Sequence, residues 1–268
     1  MTARAPVAVL ERLGRRTVAG VAELGYAASL FVESLGWLLT GRRRRQPVRL
    51  GAVVHEAMTA GVMALPIVTL LSLTIGVMLA IQGIHTLRAF GAEARVTTGL
   101  ALSIFREFGP LMTAILIAGR SGSALAARIG TMRISQEIDA LRVMGIAPVR
   151  FLVAPALLAM LVTVPLLTFW SEMMAILGGG IYVVASLDMS AGVYLDRIIA
   201  TVTLDDLLHG LTKSVIFAGL VALIGVVNGA SVSGGAEGVG SATTRSVVQA
   251  ISAIIVTDMA FAFLGTFT

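Results

Sequence analysis

The stretch AVVHEAMTAGVMALPIVTLLSLTIGVMLAI, residues 52–81, decides the fold class of this chain. It is longer than the roughly 20 apolar residues that an α-helix needs to cross the hydrocarbon core of a bilayer. Pro66 and Gly76 lie inside it, and membrane helices tolerate both residues because neighbouring groups satisfy the freed backbone atoms. We therefore predict that this stretch forms a transmembrane helix.

Further apolar stretches follow along the chain, and together they predict an all-α integral membrane protein with five transmembrane helices. They cover residues 99–129, 151–185, 204–230 and 246–267. Glycine-rich residues 231–245 are predicted to form a turn, and 186–203 a polar loop.

The composition excludes a soluble domain. Hydrophobic residues make up 57% of the chain and charged residues 13%, whereas soluble domains are about 25% charged. Cysteine is absent, which excludes disulfides and thiolate metal sites. The net charge is +5, but the basic residues cluster beside the spans, as the positive-inside rule expects. We therefore predict no nucleic-acid partner.

The pattern divides the chain into two parts, residues 1–50 and residues 51–268 with the five spans. Residues 7–40 mix charged and apolar side chains in a way that is typical of an amphipathic helix in the membrane interface. A soluble pair of helices is the alternative. The four arginines at 42–45 mark a basic boundary that faces anionic headgroups.

Loop charge predicts the orientation. Arginines are concentrated before the first span and between the second and third spans, whereas the opposite side carries Arg88, Arg95 and Arg197. The arginine-rich side is expected to be cytoplasmic. The N-terminus is then cytoplasmic, and five spans leave the C-terminus outside.

Charged residues inside the spans are the strongest candidates for functional positions, because each is costly if it faces lipid. Lys213 and Asp258 lie near mid-depth of the fourth and fifth spans, so we predict an intramembrane ion pair; a purely stabilising role is the alternative. Arg106 and Glu107 point about 100° apart on a helix, so one of them is expected to face a polar cavity. Arg120 is expected to extend towards the interface, and Glu172 has no partner that the sequence identifies.

Two further patterns concern helix packing and connection. Small residues recur every four positions in the second span and predict close approach of a neighbouring helix; they are Ala114, Ala118, Gly122, Ala126 and Gly130. Residues 131–148 have an amphipathic pattern that ends at Gly145 and Pro148. A short helix there would either be held by a cytoplasmic partner or simply connect two spans.

The motifs of soluble enzymes are missing. No G-x-x-x-x-G-K-[ST] sequence occurs, so the chain cannot hydrolyse ATP through a P-loop. His55-Glu56 begins like a zinc-protease motif, but Thr59 stands where the second histidine ligand would be. We find no nucleophile–base arrangement and no metal site, and predict that the chain is not an enzyme.

Three groups of motifs nevertheless resemble a known family. They are REFGP at 106–110 with AGRSG at 118–122; GTMR at 130–133 with QEIDA at 136–140 and VMGIAP at 143–148; and Lys213-Ser214 with GVG at 238–240 and ATTR at 242–245. The chain resembles the MlaE/YrbE permeases, which are the membrane subunits of Mce-type ABC lipid transporters. The resemblance extends from about His55 to the C-terminus.

This resemblance implies a homodimer in the bacterial inner membrane, with a periplasmic C-terminus and one interfacial helix before the five spans. It implies a cytoplasmic ABC ATPase that carries the ATP and Mg²⁺, often a STAS-domain partner, and a periplasmic Mce-domain protein. No cofactor is expected on this chain. The substrate would be phospholipid or a related lipid that moves between the inner membrane and the envelope, as in the maintenance of outer-membrane lipid asymmetry.

The resemblance also implies two sets of site residues. The wall of a lipid cavity would include Leu79, Gln82, Leu87, Phe90, Arg106 and Glu107. A short coupling helix between spans two and three would contact the ATPase, through Arg133, Gln136, Glu137, Asp139 and Met144.

Two other functions stay open at this point. A secondary transporter would use Lys213, Asp258 and Glu107 as a proton relay, although inverted repeats are not visible. A non-transporting scaffold would only recruit a cytoplasmic enzyme to the membrane.

Overall fold

The computed structural model describes residues 5–41 and 47–265, and these are helical with short connections. The basic boundary at 42–45 lies outside the described residues. The α-helices are α1 Ala5–Thr40, α2 Leu50–Ala60, α3 Leu65–Arg88, α4 Val96–Ser103, α5 Gly109–Ile117, α6 Ser123–Ile134, α7 Glu137–Val143, α8 Ala154–Ser186, α9 Ala191–Thr201, α10 Leu204–Ala230 and α11 Gly235–Leu264.

Among the described residues, five helical segments are long and apolar enough to cross a membrane, which confirms the predicted number. They are Leu50–Arg88, Glu93–Ile134, Val149–Ser186, Leu204–Ala230 and Gly235–Leu264. The chain is therefore a multi-pass membrane protein. We call the two ends of the bundle the α7 end, where spans two and three connect, and the α9 end, where spans three and four connect.

The described spans contain three π-helical turns: Ile104–Phe108 and Ala118–Gly122 within the second span, and Val149–Val153 at the start of the third. A π-helical turn inserts one residue into the helical repeat and is frequent at functional sites. The first turn overlaps the REFGP motif at residues 106–108 and the second coincides with AGRSG at 118–122, so both motifs sit where the second span departs from regular α-helical geometry.

The fifth helix begins earlier than the sequence predicts. The turn is confined to residues 231–234, and Gly234 and Gly235 have φ angles of +87° and +76°. α11 then starts at Gly235 rather than near Ser246, and it includes Gly238. A side chain at Gly238 would meet the Ser233 carbonyl group, so this glycine allows the start of α11 to pack closely against the backbone of the turn.

The polar loop at 186–203 contains a helix that the sequence pattern did not predict. Ser190 caps α9 by accepting a hydrogen bond from the Val193 N–H at 3.3 Å. Tyr194 anchors α9 to the third span, because its hydroxyl donates to the Ile176 carbonyl oxygen at 2.8 Å. Burial raises the pKa of Tyr194 to about 12, so this donor stays protonated at physiological pH.

The spans pack closely through small residues. The predicted stripe of the second span is buried and packs against α10, where Gly225 and Gly229 face the Gly122 and Ala126 carbonyl groups. Close packing without side chains in between is the usual way in which helices associate in lipid.

α1 is one helix of 36 residues, rather than a pair. Leu30 and Ser34 are buried against the bundle, while many apolar side chains of α1 are exposed, among them Val18, Val21, Leu24, Val32 and Leu39. Its position in the membrane interface stays a prediction.

Candidate functional site

A buried lysine is at the centre of the candidate site. Lys213 is fully buried, and its Nζ lies 2.8 Å from Glu107 Oε2 and 3.0 Å from Asp258 Oδ1. It also donates to the Arg106 carbonyl oxygen at 3.0 Å. A lysine in a membrane span requires such partners. The cluster therefore joins the second, fourth and fifth spans.

Arg106 pairs with Asp206, which lies on the same face of α10 as Lys213. Arg106 Nε lies 2.5 Å from Asp206 Oδ1. Asp206 in turn forms a capping box with Thr203, whose backbone N–H donates to Asp206 Oδ2 at 2.9 Å. Asp206 and Lys213 are seven residues apart, which is two helical turns. Neighbouring Arg106 and Glu107 thus pair with two positions along one helix face.

A cavity of about 570 Å³ opens beside this cluster, and we call it the charged cavity. Its lining is mostly charged and aromatic, and two small residues complete it: Arg106, Glu107, Asp205, Asp206, His209, Phe261, Ala262 and Gly265. His209 stacks edge-on against Phe261, with ring centroids 5.9 Å apart. The Arg106 side chain remains 56% exposed, so part of its guanidinium is accessible from the cavity.

The other residues of the predicted lipid wall lie elsewhere. Leu79, Gln82 and Leu87 line an apolar groove of about 310 Å³ between α3 and α4. Phe90 lines neither the groove nor the charged cavity and is 80% exposed. In the described residues the predicted wall is therefore divided between an apolar groove and a charged cavity.

The predicted coupling residues surround α7. Ile138 and Leu141 are buried, whereas Val143 is 89% exposed and Met144 is also exposed. Asp139 accepts from Arg142 at 3.1 Å and lies 3.6 Å from Arg133. The remaining two predicted residues form the start of the helix: Gln136 adopts a left-handed backbone with φ 61°, and Glu137 accepts from Ser135 at 2.7 Å.

The end of α7 is fixed by its own sequence. Gly145 has a φ angle of +72°. The Ile146 N–H donates to the Leu141 carbonyl oxygen at 2.9 Å, and the Gly145 N–H donates to the Arg142 carbonyl oxygen at 3.0 Å. This is a Schellman motif, in which glycine supplies the left-handed residue. The helix therefore ends at Gly145, and it presents charged side chains together with the apolar Val143 and Met144 at the α7 end.

Glu172 is fully buried. Neither of its carboxyl oxygens has a hydrogen-bond partner among the described residues. The side chain lies against Gly109 and Gly210, where an added Cβ would meet it. Glu172 therefore fills the space between the second span and α10, next to the segments that carry Glu107 and Lys213.

The role of Asp206 was not predicted from the sequence. The sequence nevertheless contains two features that could have identified it: Thr203 and Asp206 have the spacing of a capping box, and Asp206 lies two helical turns before Lys213. In the part of the chain that the structure describes, no three metal-ligating side chains converge.

Comparison with known proteins adds to this geometry. A sequence profile of the family described as Permease MlaE matches residues 53–264. The chain belongs to the MlaE permease family. As a permease, it is a transporter subunit rather than an enzyme.

Relatives of this MlaE-family permease extend across distant organisms. It is 35% identical over 77% of its length to the intermembrane phospholipid transport system permease protein MlaE of Haemophilus influenzae, covering 79% of that protein. It is 29% identical over 93% of its length to a probable ABC transporter permease of Rickettsia felis, covering 95% of that protein. A chloroplastic Arabidopsis thaliana protein, TRIGALACTOSYLDIACYLGLYCEROL 1, is 31% identical over 74% of the chain, which covers 57% of that protein.

Proposed function

We propose that this chain is the transmembrane permease subunit of an ABC transporter that moves phospholipid between the inner membrane and the cell envelope. The observation that carries the proposal is the charged cavity, in which Arg106 is accessible. The similar protein of Haemophilus influenzae in the same family is a phospholipid transport permease. ATP and Mg²⁺ would be bound by a separate cytoplasmic ATPase, since this chain has no P-loop.

In this proposal the charged cavity and the apolar groove bind different parts of one lipid molecule. The Arg106 guanidinium would bind the phosphate through charge-assisted hydrogen bonds. The apolar groove beside Leu79 and Leu87 would receive acyl chain, and each buried CH₂ contributes about 0.8 kcal/mol. The charged cavity and the apolar groove would be joined across the interface of a homodimer.

Movement would be driven from the α7 end. ATP binding closes the partner ATPase, and α7 conveys this motion to spans two and three, between which it lies. The exposed Glu137, Asp139 and Met144 would contact the ATPase. A periplasmic Mce-domain protein would receive or deliver lipid at the α9 end, and a STAS-domain protein would bind on the cytoplasmic side.

The test uses the chain reconstituted with its ATPase in liposomes and measures ATP-dependent transfer of labelled phospholipid to an acceptor. The double variant R106A/E107A should transfer at least about tenfold less lipid, because a hydrogen bond to a charged group contributes about 1.5–3 kcal/mol. R88A/E93A is the matched control, since it removes an exposed Arg–Glu pair, 3.4 Å apart, at the same end of the bundle. Equal transfer by R106A/E107A and wild type would contradict the proposed role of the charged cavity, whereas no ATP-dependent transfer by the wild type would favour the scaffold.

A proton-coupled transporter is the second candidate, because Lys213, Glu107 and Asp258 form a continuous set of titratable groups around a buried ammonium. It predicts transfer that survives inactivation of the ATPase and stops when a proton uncoupler is added. The ABC mechanism predicts the opposite result in both experiments.

A further inference from the structure

A second groove lies between α2 and the second span, and we call it the α2 groove. Its volume is about 310 Å³. Three of its lining residues are charged, namely Arg120, Arg128 and Glu56, and Leu125 and Met160 contribute apolar surface. It lies towards the α7 end of the bundle, because α2 starts the first span there. It is therefore distinct from the charged cavity.

Arg120 carries a charge that no carboxylate of the described residues neutralises. Its Nη1 donates to the Thr59 carbonyl oxygen at 3.0 Å, close to the C-terminus of α2. The neighbouring Ser121 hydroxyl donates to the Ala60 carbonyl oxygen at 3.2 Å. The hydrogen bond to Thr59 anchors the Arg120 side chain to α2; that it also reaches the interface stays a prediction. A guanidinium has five N–H donors, so most of those on Arg120 have no acceptor among the described residues.

Arg128 adds a second positive group to the same groove. Its Nη1 pairs with Glu56 Oε1 at 2.5 Å, but its buried Nε has no hydrogen-bond partner in the described part of the chain. Two arginines and one glutamate give the lining a net charge of +1. An uncompensated cation within a membrane span is costly, so the groove favours an anion with an apolar portion.

We propose that the α2 groove binds the phosphate group of a glycerophospholipid from the bilayer leaflet at the α7 end. The planar guanidinium of Arg120 matches the geometry of phosphate oxygens. Arg128 adds positive charge beside Arg120, and the small apolar area that Leu125 and Met160 contribute to the groove lies next to the glycerol and upper acyl chain. Binding in this groove requires the chain to lie in a bilayer but does not depend on transport through the charged cavity.

Photocrosslinking tests this site without the ATPase. The chain is placed in phosphatidylcholine nanodiscs that contain phosphatidylglycerol with a photoreactive group near the top of one acyl chain. Mass spectrometry then measures label on peptides covering 56–60 and 118–128. R120Q should reduce this labelling about tenfold, because it removes a charge-assisted hydrogen bond, while R120K should restore part of it.

R197Q is the matched control, since Arg197 also donates to a single carbonyl oxygen, that of Ala94 at 3.2 Å, but at the α9 end. It should leave labelling of these peptides unchanged. A124W provides a second approach if R120Q does not fold: Ala124 is exposed and lines the groove, so tryptophan there should exclude the probe while Arg120 keeps its charge.

Two results would overturn the proposal. One is unchanged labelling in A124W, or in a folded R120Q. The other is displacement of the probe by millimolar inorganic phosphate, which would show that the groove recognises free phosphate instead of a lipid. Persistence of labelling in the presence of phosphate supports the lipid.

Discussion

Lys213 is the residue that holds the charged cluster together. Its ammonium contacts Glu107 and Asp258 from two different spans, and it is fully buried. Removing one partner of a buried ion pair leaves an uncompensated charge, which typically costs about 3–5 kcal/mol. Asp206 neutralises Arg106 in a similar way, although the Arg106 side chain is more exposed than that of Lys213.

We expect Lys213→Ala to lower the free energy of unfolding by about 3–5 kcal/mol, since two carboxylates lose their counter-ion. Adding Asp258→Ala should recover part of this loss, because it removes one of the unpaired carboxylates. Reversible unfolding in mixed detergent micelles measures both effects in a double-mutant cycle. Arg88→Ala is the control, because it breaks an exposed pair worth about 0–1 kcal/mol. Strict additivity of Lys213→Ala and Asp258→Ala would contradict direct coupling.

At the scale of elements, the first and third spans depend on the absence of side chains where they cross. A Cβ at Gly178 would overlap the Leu73 carbonyl oxygen, and a Cβ at Gly76 would overlap that of Ala175. Both obstacles are backbone atoms, which cannot rotate away. The helices must therefore separate if either glycine is enlarged.

Gly178→Ala should destabilise the protein by about 1–3 kcal/mol, which is the usual range for overpacking a tight contact. Gly219→Ala is the matched helical control, because no atom of a neighbouring element in the described residues lies within 4 Å of where its Cβ would stand. That variant should be neutral or up to about 1 kcal/mol more stable, as alanine is the better helix former. Thermal unfolding of both purified variants provides the measurement; equal effects would argue against the close helix crossing.

α7 is the element on which the proposed coupling depends. In Glu137→Lys, lipid-stimulated ATPase activity of the assembled transporter should fall strongly while the spans remain folded. The loss of an acidic residue from the first turn costs only about 0.3–1 kcal/mol, so thermal stability should change little. Glu137→Gln separates charge reversal from charge removal and should have the smaller effect. Normal stimulation in Glu137→Lys would contradict the coupling assignment.

At the scale of the whole molecule, the spans alternate between the two ends of the bundle, so one measurement at each end fixes the orientation. α11 is the least covered of the described spans, because only 11% of its most apolar stretch is buried. Its remaining surface is available for lipid or for the second copy in the proposed homodimer.

The absence of cysteine makes the orientation directly testable. A membrane-impermeant maleimide should label S190C in intact spheroplasts, because exposed Ser190 lies at the α9 end, which we place in the periplasm. S135C, at the α7 end, should react only after the membrane is made permeable. The reverse pattern would show that the arginine-rich side is periplasmic.

The sequence by itself determined that this is a five-span membrane protein, because hydrophobic length and charge depletion are local properties that the bilayer selects directly. It also placed Lys213 and Asp258 at similar depth, since helical rise converts residue number into depth. Only the tertiary structure decided that Glu107 completes their cluster and that Asp206 holds Arg106. Those contacts depend on how the spans rotate and cross. The small-residue stripe predicts a close approach but not which helix approaches, and the π-helical turns that change the rotation leave no periodic signal in the sequence.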